Sequence, residues 1–438
     1  MTTSPANRPA TSGRTAVHPA VLVAVVAFVA LLGAAGFRAA PGVLMVPLQD
    51  EFGWPRSVLS LAVGANLVLF GLTAPFAAAL MERFGIRRVT TGALLLISVG
   101  NGATVFVTAS WQLVLLWGVM VGLGTGSMAL VFAATVASRW FVERRGLVMG
   151  VLTAGSSMGQ LVFLPILAEA TQAWGWRSAS LVITAASLAV MPLVLLFLHD
   201  HPADRGVRPY GAADVTDLIE PALRSTGSAR RALRVLRTSA RHRTFWALAA
   251  GFAICGATTN GLIGTHFIPA AHDHGLSQTA AASLLALVGI FDLVGTLGSG
   301  YLTDRVDPRM LLGLYYALRG AGLLLLPLLL TDAVHPSMLA FVVVYGLDWV
   351  ATVPPTVALC RKVFGDDGTV VFGWVFASHQ LGAAGAAVAA GLVRDRTGTY
   401  TAAWLVAAAL CAVAAVLSVR IRSSRLGLPH PAVADAAA

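Results

Sequence analysis

Charge is scarce in this chain. Only 11% of its 438 residues are Asp, Glu, Lys or Arg, against 57% hydrophobic residues, and the mean hydropathy is +0.78. That balance leaves too little polar surface to clothe a water-facing fold, which excludes an ordinary soluble domain and predicts a bilayer protein. Cysteine is nearly absent too: Cys255, Cys360 and Cys411 each fall in an apolar stretch. With no CxxC and no Cys/His spacing, neither a disulfide framework nor a zinc site is expected, and no metal is assigned. There is no P-loop to support ATP-driven pumping and no nucleophile constellation, so no catalytic residue and no cofactor are expected and the chain does not read as an enzyme. Lysine is reduced to Lys362 among 30 basic residues. With the abundance of Ala, Gly and Val, this points to a GC-rich bacterial genome and, by default, to a bacterial inner (plasma) membrane.

What is present is apolar sequence in spanning lengths. A transmembrane helix needs roughly 20 mostly apolar residues, and twelve such stretches are centred near residues 33, 69, 99, 124, 157, 188, 257, 291, 320, 348, 380 and 411. Six precede the one long polar segment and six follow it. The expected fold is an all-α, multi-pass membrane protein with twelve transmembrane helices in two pseudo-symmetric six-helix bundles. The expected divisions are a cytoplasmic tail over 1–18, a first bundle over 19–199, a cytoplasmic linker over 200–243, a second bundle over 244–422 and a cytoplasmic tail over 423–438. The first 18 residues lead into a hydrophobic stretch too long for a signal-peptide core, so the first helix is expected to be retained. A net charge of +10 could suggest nucleic acid, but the basic residues follow topology. Nine arginines lie between Arg205 and Arg243 and more at Arg83, Arg87, Arg88, Arg139, Arg144, Arg145, Arg305 and Arg309, whereas the opposite side holds only Arg56, Arg177, Arg394 and Arg396. That asymmetry predicts cytoplasmic termini and a lipid rather than nucleic-acid environment. Between Ser228 and Thr244 the arginines recur at helical intervals, which predicts an amphipathic helix on the inner surface.

The chain also repeats itself. Ala78 to Arg88 returns as Gly300 to Arg309, carrying Glu82-Arg83 onto Asp304-Arg305 at an offset of 222, while Phe141, Gly150 and Gly159 return as Phe364, Gly373 and Gly382 at 223. Two equivalent halves in one hydrophobic chain are the layout of many secondary transporters, whose substrate site lies near the bilayer midplane between the halves. Glycines such as Gly155, Gly159, Gly295, Gly298, Gly300 and Gly382 favour close helix packing.

Gly300-xxx-Asp304-Arg305-xxx-Arg309 resembles the signature loop of the major facilitator superfamily, and Ala78 to Arg88 resembles its copy, with Ala78 in place of the usual Gly and Glu82 in place of Asp. The resemblance implies a cytoplasmic gate formed by Glu82, Arg83, Arg87, Asp304, Arg305 and Arg309. The segments GVLMVPLQDEFGWPRS (Gly42 to Ser57), RWFVERRGLVMGVLTAGSSMGQ (Arg139 to Gln160) and GLVRDRTGTY (Gly391 to Tyr400) are similar to the bacterial branch related to monocarboxylate transporters and oxalate/formate antiporters. That branch handles mainly small organic anions.

Five ionisable residues fall inside predicted helices: Arg38, Asp292, Arg319, Asp348 and His379. Translocon scales put Arg or Asp at a helix centre at roughly +2.5 to +3.5 kcal/mol, so each should face a partner or a wet cavity. Arg38 is the expected anion ligand, since a guanidinium presents a planar fork of donors to a carboxylate and the resemblance puts its helix on the central path. The repeat pairs Arg38 with Asn260, a second substrate contact. Monocarboxylate transporters carry a proton-relaying acid that Asp292 resembles, although Thr296 stands where that family has Arg; Asp292 is thus the expected proton-coupling residue. Arg319 and Asp348 read as an intramembrane charge pair, and Pro354-Pro355 as a bend in the tenth helix. His379 and Gln380 are further substrate-binding candidates, opposite Ser156-Ser157 in the repeat, on two helices expected to meet at the domain interface. His266, His272 and His274 lie near the outer end of the seventh predicted helix, where a hydrated outer loop is favoured over a metal site.

These observations favour proton-coupled symport of a small, monocarboxylate-like organic anion by a monomer working through alternating access. Anion exchange without a proton, in which Asp292 is structural, is one alternative. Proton-driven efflux of an apolar or cationic drug or metabolite, in which the two aspartates bind cation, is another.

Overall fold

The computed structural model describes residues 18–128, 130–212 and 228–421. Twelve helical spans are present among them. The first half holds α1 (Pro19–Phe52), α2 (Arg56–Phe84), α3 (Ile86–Thr104), α4 (Ser110–Trp140), α5 (Arg145–Trp174) and α6 (Trp176–Phe197). The second holds α7 (Arg243–Asp273), α8 (Gln278–Thr303), α9 (Pro308–Leu329), α10 (336–364), α11 (Gly368–Thr397) and α12 (Thr401–Val419). Nine continuous stretches of the described chain are long and apolar enough to cross a bilayer, and one of them, Pro336–Thr397, contains both α10 and α11. The short α3 is more polar, but its Ser98 and Thr104 are buried and donate to their own helix at Leu94 O and Gly100 O, which makes them tolerable in a bundle.

Local chemistry sets the helix ends. His18 caps α1 by accepting from Ala20 N at 3.2 Å, with Pro19 in the first turn where its missing N–H leaves no gap. Tight reversals between spans use Gly53, Gly85 and Gly175 at positive φ (65°, 87° and 79°), backbone that a side chain would strain. Ser277 and Asp307 cap α8 and α9 through Ala280 N and Arg309 N.

Within the first half α1 packs on α5 and α6, and α2 on α4; within the second α7 packs on α11, α8 on α10 and α9 on α12. Three pairs make the main crossings between halves: α2 with α11, α5 with α8, and α1 with the C-terminal part of α7. Exchanging the halves turns the first crossing into the second and the α1–α7 contact into itself, which is the pseudo-symmetry that the repeat predicts. The expectation that α5 and α11 meet each other is corrected: each packs on a helix of the other half. The glycine expectation divides. A Cβ at Gly382 would collide with the Ala253 carbonyl and one at Gly295 with the Leu347 carbonyl, whereas Gly298 and Gly300 face open space.

The linker's first end is tied to the first half, and the helix at its other end packs on both α2 and α11. Tyr210 pairs with the end of α4, donating to Trp140 O at 2.8 Å and accepting from Val142 N at 2.9 Å. A helix at Ser228–Ser239 buries Ala232 and Val235, and its Ala232 carbonyl accepts from Trp374 Nε1 of α11 at 2.9 Å. Its Arg230, Arg231, Arg234 and Arg237 remain exposed.

Candidate functional site

A cavity of about 190 Å³ lies between the halves. Leu31 and Pro41 of α1, Asn66 and Phe70 of α2, and Trp117 of α4 line it from one side. Phe252 and Asn260 of α7, Asp292 of α8, Trp349 and Val350 of α10, and Phe376, His379 and Gln380 of α11 line it from the other. The wall is aromatic and amide-bearing, with Asp292 the one acid among the described lining residues.

Four sequence-predicted residues therefore meet at one cavity: Asn260, Asp292, His379 and Gln380. Asn260 lies in a π-helical turn, Ala257–Ile263, a widened backbone often found at functional sites. The His379 ring stacks on Phe376 (centroids 5.9 Å apart, 6° between planes) and tilts against Phe252 at 5.0 Å. Gln380 is buried against Gly71 of α2. Arg38 lies within α1, but its side chain is outside the described residues, as are those of Ser156 and Ser157; Leu31 and Pro41, on either side of Arg38 in sequence, line the cavity.

Arg319 and Asp348 lie behind the cavity wall, where Arg319 Nε is 2.6 Å from Asp348 Oδ2 with both side chains buried. The pair sits at an interruption of α10. The expected bend at Pro354-Pro355 is instead a full break, and it precedes the prolines: helix runs over Pro336–Asp348 and resumes at Val353–Phe364. A proline is accommodated in the first turn of a helix because it lacks the N–H that would be orphaned there. Several of the other backbone groups at the break have identified partners. Val353 N donates to Val350 O at 2.9 Å, Val350 N to Asp292 Oδ1 at 3.0 Å, and Ser299 Oγ to Ala351 O at 2.5 Å. Arg319 Nη2 donates to the Asp348 and Trp349 carbonyls at 2.7 and 3.3 Å. Cys255 Sγ lies 3.0 Å from Arg319 Nη1 and 3.2 Å from Thr352 Oγ1. Each unmet backbone group in hydrocarbon costs several kcal/mol, so these side chains are what permits the break.

A second cluster closes the end of the bundle opposite the linker. Arg56 is 4% exposed and forms a two-pronged pair with Asp273 of α7, both contacts at 2.7 Å. Arg56 Nε donates to Gln49 Oε1 at 2.9 Å and Arg56 Nη1 to Tyr400 OH at 2.9 Å. Asp395 accepts from the N–H groups of Arg56 and Ser57 at the start of α2 (3.0 and 2.9 Å), where the helix dipole favours an acid. Arg394 adds a contact to Asp273 at 2.8 Å. His266 is not in a hydrated loop: it is fully buried, its ring meeting Tyr400 OH at 3.1 Å and Ala387 O at 2.8 Å.

At the linker end the signature loops bond within their own halves. Arg87 N donates to Asp200 Oδ1 at 2.9 Å, and Arg83 lies over the Phe84 ring at 5.1 Å. Arg305 lies over Tyr301 at 3.6 Å. Arg309 pairs with Asp307 at 2.6 Å rather than with Asp304: Asp307 caps α9 and is the nearer acid. That contact with Arg309 lowers the Asp307 carboxyl to about 2.

The family model for the Major Facilitator Superfamily matches residues 24–365 and 252–435, together nearly the whole chain. The chain belongs to this superfamily. It is 27% identical over 399 residues to the uncharacterized MFS-type transporter YcxA of Bacillus subtilis, covering 89% of this chain and 91% of that protein. It is 28% identical over 382 residues to monocarboxylate transporter 13 of Bos taurus, covering 84% and 81%. Among solved structures it superposes on a D-xylose-proton symporter with a TM-score of 0.72, at 14% identity, over 93% of this chain and 99% of that one. The protein is thus a multi-pass transporter of small molecules with the twelve-helix major facilitator fold, a family of carriers rather than enzymes.

The far-end cluster is what sequence reasoning missed in this transporter. Arg56 and Arg394 were legible only as charges on one side, and His266 only as a residue of a hydrated loop. The available signal was that Gly42 to Ser57 and Gly391 to Tyr400 both carry family resemblance, and these segments supply Gln49, Arg56, Arg394, Asp395 and Tyr400 to one site.

Proposed function

We propose that this transporter moves a small organic anion of the monocarboxylate type across the bacterial inner membrane by alternating access, in symport with a proton. It works as a monomer, with the linker face and both termini in the cytoplasm and the domain divisions set out above. The observation that carries this reading is the cavity shared by the halves, lined by Asn260, His379 and Gln380 and by the acid Asp292, and walled by the stretch of α1 that contains Arg38. Arg38 neutralises the substrate carboxylate, while Asn260, His379 and Gln380 supply uncharged contacts. Without a proton on Asp292, loading the anion leaves uncompensated charge in a low-dielectric site, which couples the two. The Arg56–Asp273 contact crosses the halves and is the outer gate, closed here. The signature loops with Glu82, Arg83, Arg87, Asp304, Arg305 and Arg309 are the inner gate of the opposite state.

The kinship with monocarboxylate transporters supports this substrate class. Efflux of an apolar or cationic compound is the second reading, favoured by the aromatic wall of Phe70, Trp117, Phe252, Trp349 and Phe376 around an acid. Counterflow in proteoliposomes separates them. Labelled monocarboxylate should exchange against unlabelled monocarboxylates and lose exchange in Arg38→Gln; competition by lipophilic cations alone would favour efflux.

A further inference from the structure

Asp292 does two things with its two oxygens. Both of its hydrogen bonds go to Oδ1, from Thr296 Oγ1 and from Val350 N, each at 3.0 Å. Oδ2 receives no hydrogen bond from a described residue, and Asp292 lines the cavity. One oxygen is therefore spent on the break in α10 and the other is left toward the space through which substrate and protons pass.

The groups around it make the arrangement responsive. Val350 lies between the two helical pieces of α10, and its N–H has no helical acceptor. The other supports of the break come from elsewhere: Arg319 holds the Asp348 and Trp349 carbonyls, and Ser299 holds the Ala351 carbonyl. Arg319 and Asp348 are the described charged groups near enough to act on Asp292, and Arg319 is already turned onto Asp348. His379 shares the cavity from α11, and the Arg38 side chain is outside the described residues. Hydrogen bonds to an ionised acceptor are roughly twice as strong as neutral ones. A carboxylate thus grips the Val350 amide more firmly than a carboxylic acid does.

We propose that Asp292 is the strut of the α10 break: a proton bonding to Oδ2 weakens Oδ1 as the acceptor of Val350 N–H and frees Val353–Phe364 to move relative to Pro336–Asp348. Thr296 and Ser299 are positioning residues, the first aiming the carboxyl and the second holding the neighbouring carbonyl. Loading the proton is thereby converted into a change at the cavity wall, where Trp349, Val350, Thr352 and Val353 line the substrate space. The inference rests on the symport reading in that it requires Asp292 to take up a proton.

Hydrogen–deuterium exchange of the full chain in nanodiscs, followed on peptides covering 345–356 at acidic and alkaline pH, tests it. After correction for intrinsic exchange, the amides at 349–353 should exchange roughly tenfold faster at acidic pH, the difference between a charge-assisted and a neutral acceptor. Asp292→Asn, locked neutral, should exchange fast at both. Ser299→Ala, which leaves the carboxyl intact, should raise exchange at alkaline pH and shrink the pH span, so the proposal stays testable if the Asn variant does not fold. Exchange independent of pH in the unmodified chain would overturn the proposal, as would the same pH response in Asp292→Asn. Proton-driven uptake with pH-independent exchange would refute the strut alone; a pH switch without proton-driven uptake would refute the symport reading alone.

Discussion

Asp273→Asn should unlock the outer end of the transporter. The Arg56 side chain is 5% exposed and that of Asp273 18%, so the substitution leaves a buried guanidinium with only Gln49, Tyr400 and a neutral amide around it. Breaking a buried pair from one side costs about 3–5 kcal/mol, and the partial exposure of Asp273 argues for about 3. Because Arg56 belongs to the first half and Asp273 to the second, that cost falls on the outward-closed state and not on a state in which the halves have parted there. At about 1.4 kcal/mol per tenfold, the outward-open population should rise by about 100-fold. The readout is labelling of Ser60→Cys by a membrane-impermeant thiol reagent, with the three native cysteines replaced; Ser60 is fully buried beneath Arg56. Labelling should be slow in the parent, fast with Asp273→Asn and slow again with Asp273→Glu. Equal labelling in parent and Asp273→Asn would refute the assignment of this pair as the outer gate.

Further outcomes follow from the other clusters. Arg319→Met should strip Asp348 and two carbonyls of their partner and destabilise the protein by about 3–5 kcal/mol, read as early thermal unfolding in detergent. Arg38→Gln should abolish anion uptake while the protein still inserts, and unchanged uptake would remove Arg38 from the site. Asp292→Asn should lose proton-driven accumulation and keep counterflow exchange. Asp307 sits at about 2, below its ordinary 3.8, through its contact with Arg309. A depressed acid stabilises above its unfolded value and loses that contribution as pH falls through its folded one. Thermal midpoints should therefore fall from about pH 4 to about pH 2, and Asp307→Asn should flatten that window.

Much of the fold was legible because spanning helices are written in composition: length and hydropathy located the spans, and the acid-Arg repeat at Glu82 and Asp304 divided them into halves. The cavity was partly legible, since ionisable residues such as Asp292 are costly in a bilayer and must face something polar. Two features were not. The α10 break depends on Asp292, Ser299 and Arg319 arriving from two other helices, so Pro354-Pro355 alone suggested a bend at the prolines rather than a break before them. The far-end cluster brings together Arg56, Asp273 and the Asp395–Tyr400 stretch, three segments more than a hundred residues apart in sequence, and singly each reads as an ordinary loop or helix-end residue. His266 shows the same limit: its spacing near His272 and His274 suggested hydration, whereas α11 and Tyr400 enclose it.

On the proposed function, this cavity carries an organic anion together with a proton. The decisive assay is uptake of labelled monocarboxylates and dicarboxylates into proteoliposomes, with and without an inward proton gradient and with internal pH recorded. Monocarboxylate accumulation should require the gradient and acidify the lumen. Uptake that ignores the gradient and leaves internal pH unchanged, in protein shown to be folded, would contradict the proposed function.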